Sequence, residues 1–136
     1  MTYALAAPFQ AALYTTLSED SALDALVHGH IYDSLPSGTL PDLYVVLGPE
    51  DVQDVSDISG AGALHDAVIS IITNDGGFLT VKQVAAAICD ALLPGSFPLS
   101  RGRVVSFTFQ GASARRDGDG ATRRVDLRFR ARLSDA

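Results

Sequence analysis

The chain has 136 residues, 47% of them hydrophobic, one cysteine and a formal net charge of −6. That is one domain's worth of sequence, able to bury a core without staples, and it excludes a disordered chain or an internal disulfide. No apolar run approaches ~18 residues, so no transmembrane helix is predicted, and the apolar but acid-terminated MTYALAAPFQAALYTTLSED is a poor secretory signal.

The charge is segregated. Residues 1–100 hold Lys82 and twelve acids, a net of −11, while residues 101–136 hold nine arginines and four acids, a net of +5. Three readings follow. Arginines can cover acidic surface within the chain, one copy's basic segment can meet the next copy's acidic body, or the arginines can face nucleic acid. The overall acidity and the use of arginine over lysine favour protein contacts, because the planar guanidinium pairs with carboxylates two bonds at a time.

In chain order, residues 4–17 predict a helix, with Pro8 tolerable in the first turn and Phe9, Leu13 and Leu17 forming one apolar stripe beside Ala12. Ser18-Glu19-Asp20 starts a second short helix carrying Leu23, Leu26 and Val27, ended by Gly29. Residues 31–33 are extended, and SLPSGTLP, from Ser34 to Pro41, is a loop. Leu43 to Gly48 is apolar throughout and predicts a well-covered strand, ended by Pro49. Residues 50–62, EDVQDVSDISGAG, predict an irregular, mobile acidic surface loop whose Val52, Val55 and Ile58 recur every third residue. From Ala63 to Thr73 the alternation buries His65, Ala67, Ile69, Ile71 and Thr73 on one strand face.

Asn74-Asp75-Gly76-Gly77 is a break, after which Thr80-Val81-Lys82-Gln83 has the form of a capping box, with Leu79 and Val84 placed for a hydrophobic staple. The helix over 81–93 then lines Val81, Val84, Ala85, Ile88 and Leu92 on one face. The last third predicts a long β-hairpin. RVVSFTFQGA puts Val105, Phe107 and Phe109 on one face, SARRDGDGAT is the loop, and RRVDLRFRARL alternates apolar Val125, Leu127, Phe129, Ala131 and Leu133 with Asp126, Arg128, Arg130 and Arg132. Such a hairpin needs further strands or a helix layer. The order α-α-β-β-β-α-β-β predicts a single α+β domain over 1–136, a mostly antiparallel four- to five-stranded sheet with helices packed on one face, ending in the hairpin.

No catalytic set assembles along the chain. His28-Gly29-His30 needs further ligands that only His65 and Asp66 offer, and reads as the end of a helix. Cys89 has no local base or cation to activate it. Asp117-Gly118-Asp119-Gly120 lacks the downstream acid of a calcium loop and reads as a turn. Phosphate-loop, dinucleotide-binding, serine-hydrolase and zinc-protease motifs are all missing. What stands out is an interaction surface: Arg103, Arg115, Arg116, Arg123, Arg124, Arg128, Arg130 and Arg132, with the acids Asp51, Asp54 and Asp57 as a second candidate. The phenylalanines lie on the apolar side, which argues against bases stacking on this surface.

End to end, the sequence resembles the tail-completion, or tail-terminator, family of long-tailed phages in the form carried by gene transfer agents. The segments IYDSLPSGTLPDLYVVLG and RRDGDGATRRVDLRFRAR carry the resemblance most specifically. It implies a ring, typically hexameric, at the head-proximal end of the tail tube. That ring would stop polymerisation of the tube protein and dock the head connector, with DNA passing its lumen without specific binding. It implies no enzyme, cofactor, metal or membrane, and a place in the cytoplasm during assembly and then in the particle's tail. A head–tail connector or stopper ring is the nearest alternative, and an arginine-strand nucleic-acid module a more distant one.

Overall fold

The computed structural model describes residues 3–55, 62–118 and 120–135. Three helices and five strands follow in the predicted order: α1 (Ala6–Ser18), α2 (Ser21–Val27), β1 (Ile31–Tyr32), β2 (Leu43–Asp54), β3 (Gly62–Thr73), α3 (Phe78–Leu92), β4 (Arg103–Asp117) and β5 (Thr122–Ser134). The strands form one mixed sheet in the order β1-β2-β3-β5-β4, with β1 parallel to β2 and every other pair antiparallel. The fold is therefore α+β with a mostly antiparallel sheet.

Strict alternation explains the central strands. On β5, Val125, Leu127, Phe129, Ala131 and Leu133 are all buried. On β3, Ala67, Ile69 and Ile71 are buried with them, and Val45 and Leu47 continue the layer on β2. One core cluster joins these strand residues to Leu5, Phe9, Leu13 and Leu17 from the α1 region, Leu23 and Val27 of α2, and Val81, Val84, Ile88 and Leu92 of α3. At its centre Phe107 stacks on Phe129 with ring centroids 5.2 Å apart, and Phe97 meets Phe107 edge-on, also at 5.2 Å. Such ring pairs add about 0.5–1.5 kcal/mol beyond the area they bury.

Several local expectations are overturned. Pro49 does not end β2. The strand absorbs Gly48 and Pro49 in an irregularity between Leu47 and Glu50, and pairing with β3 resumes through Asp54. A bulge lets the strand carry a proline without losing the ladder beyond it. Residues 50–54 are thus strand rather than loop, and Ile58 of the expected loop lies outside the described residues.

Helix α3 begins at Phe78 with Gly77 as N-cap and no side-chain cap, so Thr80 lies inside the first turn and the capping box does not form. Leu79 is 72% exposed and staples nothing. Phe78, partly buried, packs against the core instead. At α2 the Asp20 carboxylate accepts the Leu23 N–H at 2.9 Å, as a cap should. The left-handed stop is His28, φ 52°, one residue before the predicted Gly29, which follows at φ 77°.

The expected loop 113–122 is mostly strand. β4 runs to Asp117 and pairs with Thr122 of β5, leaving a turn that includes Gly118 and Gly120, while Asp119 lies outside the described residues. A register shift between Val104 and Ser106 takes Val105 off the expected apolar face, Phe107 and Phe109 stay on it opposite Ala131 and Phe129, and a second shift follows between Phe109 and Gly111. Phe107 is buried, but Val105 and Phe109 are 46% and 44% exposed.

Candidate functional site

The described candidate residues lie on the even-numbered face of β5, along the β4 edge and on β2, except Arg123, which is odd-numbered on β5 and meets Phe78 of α3. Register fixes their neighbours. Arg130 of β5 lies opposite Asp66 of β3, and its guanidinium donates to both carboxylate oxygens, at 2.7 and 3.0 Å. Four positions along β3, Ser70 lies opposite Asp126 and donates its hydroxyl at 2.6 Å. Asp126 also accepts from Arg124 Nε at 2.9 Å and Arg115 Nη1 at 2.5 Å, and Arg124 Nη2 reaches Ser70 Oγ at 3.1 Å. Arg115 Nε adds a bond to Asp117 at 3.1 Å. Arg115 and Arg124 are a directly paired set of like charges across the ladder, and Asp126 and Asp117 neutralise them.

These contacts shift the carboxylates. The Arg130 hydrogen bond holds Asp66 below the usual carboxylate range against the opposing effect of burial. At Asp126 burial is the largest influence and pushes upward, but the bonds from Ser70, Arg124 and Arg115 together outweigh it and the net shift is downward. Asp135 is lowered by its bidentate bond from Arg101, at 2.7 and 3.0 Å.

The counter-charges therefore differ from the expected ones. They come from the carboxy-terminal segment itself, Asp117, Asp126 and Asp135, except for Asp66. Among the described residues, Arg103, Arg116, Arg128 and Arg132 make no ion pair. Arg128 donates to Ser113 Oγ at 3.3 Å and lies over Gly111, where a Cβ would sit 2.6 Å from its guanidinium. Arg132 reaches the Val55 carbonyl at 3.5 Å. Arg123 turns to the Gly120 carbonyl and the Phe78 ring, 5.5 Å from its centroid.

Of the acids, Asp51 and Asp54 are exposed on β2 and Asp57 lies outside the described residues. Asp51 joins Pro49, Asp66, Val68, Gln110, Arg128 and Arg130 around a hollow of about 280 Å³. The structure thus gathers Asp51, Arg128 and Arg130, and separates them from Arg103. Sequence reading did not identify Ser70, Asp66 and Asp126 as the residues that organise the arginines. Their period-two placement was visible, but cross-strand register was needed to join them.

His65 is fully buried, edge-on to Phe9 at 5.6 Å, with Nδ1 3.3 Å from Glu50 Oε2. His28 is exposed at the end of α2. Among the described residues, no group of three or more His, Cys, Asp or Glu side chains could hold a metal ion. Cys89 is partly buried, and burial pushes its thiol upward, away from a reactive thiolate. No described helix is long and apolar enough to cross a membrane.

Comparison with known proteins gives a consistent answer. No curated protein matches the chain. A chain from a solved structure described as "Virion of native gene transfer agent (GTA) particle" is 52% identical and superposes with a TM-score of 0.93, the match covering 98% of this chain and 99% of that one. The family model described as Tail completion protein gp17 matches residues 11–134. The chain belongs to the tail completion protein gp17 family.

Proposed function

We propose that the chain is a structural, non-enzymatic component of a phage-like gene transfer agent particle. It forms a ring, hexameric, on the head-proximal end of the tail tube. There it ends tube polymerisation and presents the surface on which the head connector docks. The observation that carries this reading is the near full-length match, at 52% identity, to a chain of a gene transfer agent virion. Membership of a tail completion family supports it independently. The chain assembles in the cytoplasm and then stays in the tail, with copies of itself, the tube protein and the connector as partners.

In this reading residues 1–136 act as one domain, with the helices layered over the odd-numbered face of β5 and β4–β5 as a closing hairpin. The other face and the sheet edges are left for partners. Arg103, Arg116, Arg128 and Arg132, with Asp51 and Asp54, are the contact residues. DNA passes without specific binding. The net charge of −6 supports that, as does the engagement of Arg101, Arg115, Arg124 and Arg130 by carboxylates.

The test is to locate and count the chain in purified particles, by immunogold labelling and quantitative mass spectrometry. The reading predicts one label site at the head–tail junction and about six copies per particle, as for a single closed ring. Hundreds of copies along the tail would overturn it, and a label on the head side of the connector would make the chain a stopper instead.

A further inference from the structure

Two irregularities of the sheet lie opposite the same pair of residues. Val68 of β3 pairs with Arg128 of β5. On the β2 side of that pair the chain inserts Gly48 and Pro49 between Leu47 and Glu50, and on the β4 side it inserts Gln110 between Phe109 and Gly111. Bulges bend and twist a strand, and a glycine within one marks a place where another group can come close. Neither Gly48 nor Gly111 has a side chain to lay over its neighbour, and a Cβ on Gly111 would meet the Arg128 guanidinium at 2.6 Å. The row is therefore dished. The hollow of about 280 Å³ lies over it, lined by Pro49 from β2, Val68 from β3, Arg128 from β5 and Gln110 from β4.

Four charged side chains line this hollow. Arg130 and Asp66 hold each other through two bonds. Arg128 and Asp51 are exposed, and among the described residues neither makes an ion pair. Arg128 is left with a 3.3 Å bond to the neutral Ser113 hydroxyl. A guanidinium is a fork suited to a carboxylate, and this one has an open approach and no carboxylate of its own. The chain carries the matching surface. Residues 1–100 hold twelve acids against Lys82. At the helices Glu19, Asp24 and Asp90 are exposed, and Glu19 and Asp20 line a second hollow, of about 320 Å³, with Ala91, the neighbour of Asp90 in the chain. The α1–α2 corner and the end of α3 thus form one acidic patch. Helix residues share the core with the odd-numbered side chains of β5, so Arg128, on the even-numbered side, faces away from that patch. One molecule cannot join the two, whereas two copies can.

Resting on the ring reading above, we infer that the hollow is a socket for the acidic helix patch of the next copy, in which a carboxylate of Glu19, Asp24 or Asp90 pairs with the Arg128 guanidinium. The helix side of one subunit then lies on the Arg128 side of its neighbour's sheet. The contact uses different patches on its two sides, so it either closes into a ring or grows as a filament. Asp51 lines the same hollow and repels a carboxylate that enters out of place, which confines the contact to the Arg128 end.

The experiment is carbodiimide cross-linking of purified particles carrying Arg128→Lys in a Lys82→Arg background, which leaves the introduced amine as the chain's single lysine side chain. Both positions are exposed, so the fold is kept. Carbodiimide joins an amine only to a carboxylate in direct contact. A covalent dimer is expected, its linked peptides joining position 128 of one copy to Glu19, Asp24 or Asp90 of another. Monomer alone, with position 128 joined at most to Asp51 or Asp66 of its own chain, overturns the socket. It leaves the ring reading standing where the chain still sits at the head–tail junction. A link to a different protein, or to any other acid of a second copy, overturns the assignment of the occupant. In a second variant, Arg128→Glu, the chain is expected to be lost from particles while the isolated chain keeps the wild-type urea midpoint. A full complement of Arg128→Glu chains in particles overturns the socket. Complete tails in particles that lack this chain altogether overturn the ring reading itself.

Discussion

At the scale of single residues, Asp126 is the side chain on which the arginine face depends. It is partly buried and accepts from Ser70, Arg115 and Arg124. Asp126→Asn leaves two guanidinium groups facing each other across the ladder without their shared anion. A loss of about 1–3 kcal/mol is expected, read as a lower urea midpoint. Arg130→Ala removes a bidentate pair whose side chains are 44% and 41% exposed. Solvent screening keeps that loss small, so a drop in the urea midpoint as large as that of Asp126→Asn would contradict the assignment. Asp66, Asp126 and Asp135 all have folded pKa values below their ordinary ones. Each therefore adds stability that is present above about pH 4 and is lost as the pH falls through its folded value. The wild-type unfolding midpoint is expected to fall on acidification below that pH, and less steeply in Asp126→Asn.

Among elements, the central strands were legible and the ends were not. Alternation on β5 identified every buried residue from Val125 to Leu133, because a strand between two partners must bury one whole face. The same alternation misled on β4. That strand is an edge with bulges: the shift at Val105 moves it off the period, whereas Phe109 keeps the predicted face, opposite Phe129 with ring centroids 5.8 Å apart, and is exposed because among the described residues no strand pairs beyond β4. Pro49 was read as a stop, where with Gly48 it forms an irregularity within a continuing strand. The capping box fails because the helix starts at Phe78 with Gly77 as N-cap, which puts Thr80 inside the first turn, where it no longer holds the N-cap position. Two substitutions separate these cases. Phe129→Ala, at the fully buried centre of the ring stack, is expected to cost about 3–5 kcal/mol. Leu79→Ser, on an exposed position, is expected to stay within about 0.5 kcal/mol by thermal or urea unfolding. A large cost at Leu79 would restore the staple.

For the whole molecule, the density of arginines in the last third pointed to assembly, but folding divides them. Arg101, Arg115, Arg124 and Arg130 are held by carboxylates of the same chain, whereas Arg103 and Arg116 stand at the β4 edge. The candidate site was therefore legible as a composition and not as a geometry, since pairing depends on which strand lies beside which. The role proposed for the chain is to end the tail tube. The most direct test of that role is electron microscopy of particles produced without this chain. The account predicts tails of uncontrolled length, or tails detached from heads. Tails of normal length joined to DNA-filled heads would contradict it.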